Sequence, residues 1–318
     1  MRKNSILILF LSLTLPVSAA LQLNVRDYGA SGDGRALDSP AIQRAIDVCE
    51  QQGGGTVIIP PGDYRCGTVV LCDHLTLCVQ AGARLLASRD ENDYDLTMTE
   101  RSIDSEMPTI GYEKKSLILA DSVENVTLCG LGVLDGQAEY YWDDMQSVDT
   151  FIESEIENAR QAGTEMVRAY AVEPRPALVL IANSRNIHIR GLSFQNPPSW
   201  TIHFYNVDHA VVQGLHITSS RTEGINGDGL DIDGCRDVHI SDCTINTGDD
   251  CICMKTTPVL GEPKVLENIT VTNCTLSSTS CALKLGTETY ADMRHVVFNN
   301  CVIRDSNRGI GIIVRDGA

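Results

Sequence analysis

Two aspartate-bearing segments lie 22 residues apart, Asn226-Gly-Asp228-Gly-Leu-Asp231-Ile and Thr247-Gly-Asp249-Asp250-Cys-Ile. If 22 residues make one coil of a stacked β-structure, Asp228 and Asp250 share a column on adjacent rungs. Neighbouring strands are about 4.8 Å apart, so these two and Asp249 converge on one patch. Carboxylates this close do not all ionise comfortably, and at least one pKa is expected to rise. An acid and a base side by side are what hydrolysis of a glycosidic bond requires.

A coil of that kind is written along the chain. Asn125-Val-Thr-Leu-Cys-Gly-Leu, Asn186-Ile-His-Ile-Arg-Gly-Leu, His209-Ala-Val-Val-Gln-Gly-Leu, Asp237-Val-His-Ile-Ser-Asp-Cys, Asn268-Ile-Thr-Val-Thr-Asn-Cys and His295-Val-Val-Phe-Asn-Asn-Cys share one pattern, with His74-Leu-Thr-Leu-Cys as an earlier copy. Each has a polar opener, an alternating β-branched run, a turn residue and an inward Leu or Cys. Successive anchors from Asn186 lie 23, 28, 31 and 27 residues apart. That period predicts an all-β parallel solenoid, since a propeller blade needs about 40 residues or more. Cys243, Cys274 and Cys301 fall at one repeat position and read as stacked core thiols. A disulfide framework stays open for Cys66, Cys72 and Cys78. Cys251-Ile-Cys253 lacks zinc spacing, the Asp228–Asp233 run lacks the EF-hand pattern, and no metal or cofactor is expected.

Other segments set the limits. Met1–Ala20 has a basic start, an apolar run and a small-residue cleavage site, so it reads as a signal peptide and predicts export, periplasmic or extracellular. Residues 21–318 are then one repeat domain. The apolar run within Met1–Ala20 is too short to span a bilayer. Losing Arg2 and Lys3 leaves 23 basic residues against 42 acidic, a net charge of −19. This argues against nucleic acid or an anionic membrane as partner. Ala41–Cys49 reads as a helix with Ser39 as N-cap and Pro40 at its first position, closing one end of the solenoid. Tyr140–Ala171 is a polar, helix-permissive insertion expected beside the cleft. The chain stops at Ala318 straight after an apolar rung, which suggests that further rungs are missing.

At these motifs the sequence resembles the polygalacturonase family, the family 28 glycoside hydrolases, over nearly all of residues 21–318. Val25-Arg-Asp-Tyr-Gly-Ala-Ser-Gly-Asp-Gly34, Gly54-Gly-Thr-Val-Ile-Ile-Pro-Pro-Gly62, Gly132-Val-Leu-Asp-Gly136 and Asn196-Pro-Pro-Ser-Trp200 accompany the two aspartate motifs. The resemblance implies a right-handed parallel β-helix that cleaves a pectic polysaccharide with inversion. Asp249 would be the general acid, and Asp228 with Asp250 would activate water. The family's Gly-His-Gly motif aligns with Ser280-Cys281-Ala282 and its Arg-Ile-Lys motif with Gly311-Ile-Ile313. The cations that hold a galacturonate carboxylate are therefore absent from their usual places, and rhamnogalacturonan or a substituted galacturonan is expected over plain polygalacturonate. Stacking puts Asp231, Cys253, Lys284 and Gly311 in one outward column and Arg308 in the column of Asp228, Asp250 and Cys281. Lys284, Arg308, Lys255 and Asn226 are the expected substrate-binding residues. Asp231 and Asp233 read as structural, His203 as packed, and Cys281 as another stacked thiol. A polysaccharide lyase and a non-catalytic carbohydrate-binding β-helix are the competing functions.

Overall fold

The computed structural model describes residues 21–94, 115–143, 157–158, 160–163, 170–171, 175–223, 226–258 and 262–317. The signal-peptide reading and most of the insertion lie outside them. Three parallel sheets of nine, nine and eight strands are filled in rotation by successive segments, with the helix Ser39–Gln51 in place of a third-sheet strand in the first coil, which makes one right-handed parallel β-helix. Trp142–Asp143 pairs antiparallel with Tyr170–Ala171 at the base of the insertion.

The repeat explains the register. All seven polar openers (His74, Asn125, Asn186, His209, Asp237, Asn268 and His295) adopt φ between 55° and 61°. Asn, Asp and His tolerate this left-handed region better than other non-glycine residues. Their side chains then bond from rung to rung, Asn268 Nδ2 to Asp237 Oδ1 at 2.8 Å and Asn125 Nδ2 to His74 Nδ1 at 2.9 Å. Inside, apolar residues stack in register from Leu77 through Leu128, Ile189, Val212 and Ile240 to Val271. All six are 0–1% exposed, and each such side chain contributes about 1.5–3 kcal/mol by burial.

Leu192, Leu215, Cys243 and Cys274 occupy the inward position after the turn, as the pattern predicts. Leu131 does not; it is 73% exposed. Its rung carries one extra residue: Cys129 pairs with Arg190 but Val133 with Ser193, so the offset falls from 61 to 60 across the turn. Gly132 takes the inward place, where a Cβ would come within 2.4 Å of Val79 Cγ1. All twelve cysteines are free, including Cys66, Cys72 and Cys78.

Helix α1 (Ser39–Gln51) buries Ala41, Ile42, Ala45, Ile46 and Cys49 against the first coil. Gln43 ties it to the third sheet through paired bonds with the Val70 backbone, 2.9 and 3.1 Å. Its N-cap is Asp38, not Ser39, and Asp38 gives the helix no side-chain bond. The Asp38 carboxylate is taken by the N–H groups of Ser31 and Gly32, at 2.6 and 3.0 Å.

Five strands of the third sheet carry the site: β1 (Ile202–Tyr205), β2 (Leu230–Asp233), β3 (Ile252–Thr256), β4 (Cys281–Thr289) and β5 (Arg308–Asp316). Ile202, Leu230, Ile252, Leu283 and Ile310 form their inward column. The outward column is His203, Asp231, Cys253, Lys284 and Gly311, which includes the one expected from sequence.

Candidate active site

Asp228 and Asp250 each sit two residues before an inward residue of their strand, Leu230 and Ile252. Gly229 N–H donates to Asp250 O at 2.9 Å, which locks the two rungs in that register. Only glycine fits at 229, because a Cβ would stand 2.4 Å from Cys251 O. The Ser219 hydroxyl joins both turns, donating to Gly227 O (2.7 Å) and accepting from Gly248 N–H (2.9 Å). Thr247 and Ser278 hydroxyls both reach Asp249 O at 2.6 Å. The result is a patch where one oxygen each from Asp228, Asp249 and Asp250 lies within 4.8 Å of the others.

The three carboxylates are held differently. Asp249, half-buried, accepts from Asp250 N–H at 3.0 Å and from Asn226 N–H at 3.3 Å. Asp250, 1% exposed, takes Lys284 Nζ at 2.7 Å on one oxygen and Ser280 Oγ at 2.9 Å on the other. Asp228 is buried and its Oδ1 has no hydrogen-bond partner. Burial, then the charges of Asp249, Asp231 and Asp250, push the Asp228 carboxyl well above the usual range. That shift favours the protonated form of Asp228.

A second layer of charge lies beneath. Asp231 is fully buried, with Lys255 Nζ at 3.7 Å as its countercharge. Burial raises its carboxyl strongly and Lys255 opposes the rise. Lys255 also reaches Glu288 Oε2 at 3.0 Å. Burial works against the Glu288 charge, but Lys255 outweighs it and holds that carboxyl at about 2. Asp233 accepts from Thr257 N–H and Oγ1, at 2.7 and 2.5 Å, and lies 3.4 Å from His203 Nε2. Asp233 and His203 are thus packed structural groups, as their sequence reading had it.

The expected substrate-binding residues separate into two groups. Lys284 and Arg308 stand on the site strands, Lys284 on Asp250 and Arg308 in register with Cys281 on the next rung. Lys255, 5% exposed, is committed to carboxylates under the floor. Asn226 spends its side-chain oxygen on Arg175 Nη2 at 3.0 Å and its N–H on Asp249, so it positions the acid cluster. Arg175, Ser280, Glu288 and Trp200 were not singled out from sequence as site residues. Glu288 had no signal to find it by, since it follows a register shift in β4 between Thr287 and Glu288.

The sequence profile of glycosyl hydrolases family 28 matches residues 98–316. The chain belongs to that family. A second profile, rhamnogalacturonase A/epimerase, pectate lyase-like, matches residues 22–164. Among family 28 relatives, a "probable polygalacturonase" of Vitis vinifera is 28% identical over 90% of this chain and 55% of its own length. An exo-poly-alpha-D-galacturonosidase of Dickeya chrysanthemi is 26% identical over 72% of this chain and 41% of its own. The chain thus spans about half the length of the curated relatives it matches. The crystal structure of a hyperthermoactive exopolygalacturonase from Thermotoga maritima superposes with TM-score 0.72 and 26% identity, covering 92% of this chain and 68% of that one.

The buried Asp228 carboxyl sets a stability test for this family 28 site. A carboxyl raised in the folded state leaves stability complete below the unfolded value, about 3.9, and erodes it as pH rises through the folded value. Asp228→Asn removes that erosion. The variant is expected to melt a few degrees above wild type at pH 7, consistent with a gain of about 0.5–2 kcal/mol. The gap should close towards pH 4. Thermal melts from pH 4 to 8 check this, and an equal or lower Tm at pH 7 counts against it.

Proposed function

We propose that this chain hydrolyses glycosidic bonds of a pectic polysaccharide, of galacturonan or rhamnogalacturonan type. The observation that carries the reading is the convergence of Asp228, Asp249 and Asp250 within 4.8 Å, with one ammonium, Lys284, on Asp250. Asp249 protonates the leaving oxygen; it is the most accessible of the three. Asp250, paired with Lys284, takes the proton of the attacking water. Asp228 orients that water and passes the cluster's proton towards Asp249. General acid–base transfer of this kind is worth about 10²–10⁴ in rate.

The three oxygens approach more closely than the separation of about 6.5–9.5 Å between two isolated carboxyls in inverting enzymes. Inversion is accordingly inferred from family membership, and the first-formed anomer tests it. Substrate class is drawn from the relatives' names and from the cations. Gly311 and Ile313 stand where the resemblance predicts an arginine and a lysine, so a uronate carboxylate would depend on Lys284 and Arg308. That supports a polymer with fewer carboxylates at the cleavage point than polygalacturonate. Export through Met1–Ala20 belongs to the same proposal and fits a polymeric substrate. Product analysis on polygalacturonate, rhamnogalacturonan backbone and debranched oligomers is the test, with new reducing ends as the expected result.

A further inference from the structure

A second concave site lies on the outer face of the second sheet, where strands Thr244–Thr247, Thr275–Ser278 and Val302–Ile303 run side by side. The register pairs Asn246 with Ser277 and Leu276 with Ile303, so Arg304 continues the outward Asn246–Ser277 column. A recess of about 280 Å³ opens there, and Arg221, Thr244, Asn246, Thr275, Arg304 and Asp305 are among the residues that line it. Small-ligand pockets begin at about that size. The recess stands on a different sheet from the column of Asp231, Cys253 and Lys284, and it shares no residue with the acid cluster.

Its charge is what sets it apart. Arg221 reaches across three successive rungs to neutral acceptors. Its Nη1 donates to Asn246 Oδ1 at 2.8 Å and Ser277 Oγ at 2.6 Å, and its Nη2 donates to Asp305 O at 2.7 Å. Among the described residues no carboxylate pairs with Arg221 or with Arg304, and the Arg304 guanidinium and the Asp305 carboxylate have no hydrogen-bond partner. Two guanidiniums against one carboxylate leave the recess one positive charge, in a chain of net charge −17. A guanidinium fork matches a carboxylate with two parallel hydrogen bonds. Asp305 can accept from hydroxyl groups, and Thr244 and Thr275 can both donate and accept. A dianion would exceed the single positive charge and also face Asp305.

We infer that this recess binds a hydroxycarboxylate: a sugar acid whose carboxylate lies on Arg304 and whose hydroxyls meet Asp305 and the two threonines. Arg221, already fixed by three bonds, is the preformed cationic wall of the site. The carboxylate can belong to a free sugar acid or to a uronate unit of a polymer, and the recognition chemistry is the same. The site lies outside the hydrolytic cluster and does not depend on the hydrolase reading.

Glucuronate and glucose, which differ at C6 as carboxylate and hydroxymethyl, isolate the group that matters. Calorimetry on the full chain should show glucuronate binding at concentrations where glucose does not. Arg304 is exposed and unpaired among the described residues, so Arg304→Gln should leave Tm and any pectic turnover unchanged. The same variant should raise the glucuronate Kd about 10–100-fold, the worth of a charge-assisted hydrogen-bond pair. In Asp249→Asn protein, oligouronates of increasing length separate the two sources. An affinity that climbs with length and falls in Arg304→Gln supports a polymer unit, and one that stays level and falls in Arg304→Gln supports a free acid. Equal binding of glucose, displacement of glucuronate by sulfate at lower concentration, or no glucuronate binding overturns the ligand class. A glucuronate Kd unmoved by Arg304→Gln overturns the site. A protein silent on every pectic polymer that still binds glucuronate through Arg304 keeps this site and loses only the hydrolase reading.

Discussion

Asp249→Asn is expected to lower kcat on a responsive pectic polymer by about 10²–10⁴-fold. The fold should stay intact, because the amide oxygen can still accept one of the two backbone N–H bonds that Asp249 receives from Asp250 and Asn226. What disappears is the proton for the leaving oxygen, a contribution made in the transition state, so KM should move little. Initial rates and binding of the same oligosaccharide give the two halves of the answer. A protein that only binds carbohydrate would show no difference between wild type and variant. A variant that turns over at the wild-type rate would remove Asp249 from the chemistry.

Lys284→Met is the second large effect. Lys284 Nζ sits 2.7 Å from Asp250 Oδ2, and Asp250 is 1% exposed. Taking away the ammonium strands a buried carboxylate, which costs about 3–5 kcal/mol and should lower Tm by about 6–10 °C. Turnover should fall as well, since the stranded carboxylate is the proposed partner of the attacking water. The double variant Lys284→Met, Asp250→Asn separates pairing from packing. Removing both charges together should recover most of the lost Tm while activity stays absent. If the double variant melts as low as the single one, the pair is not what Lys284 contributes.

Much of this was legible in the sequence for one reason: a parallel solenoid repeats its register. Once the openers were aligned, the column Asp231–Cys253–Lys284–Gly311 and the meeting of Asp228 with Asp250 followed by counting, and the strand pairs agree. The openers' left-handed φ values give the physical reason those positions are Asn, Asp or His. Counting failed where the period breaks. Leu131 was displaced outward by one extra residue, and Glu288 arrived at Lys255 past a register shift. The N-cap was misassigned because Asp38 is recruited by Ser31 and Gly32, a contact between loops that no helix pattern encodes. The commitments of Lys255 to Glu288 and of Asn226 to Arg175 are likewise side-chain choices that spacing alone does not fix.

The most direct measurement is time-resolved proton NMR of the purified protein on pectic oligosaccharides, with and without chelator. New reducing ends should appear, formed first in the configuration opposite to the bond cleaved, at a rate the chelator leaves unchanged. A product bearing an unsaturated bond, or activity that the chelator removes, would contradict it and favour elimination on the same scaffold. A first-formed anomer of retained configuration would contradict the assigned roles of Asp228 and Asp250.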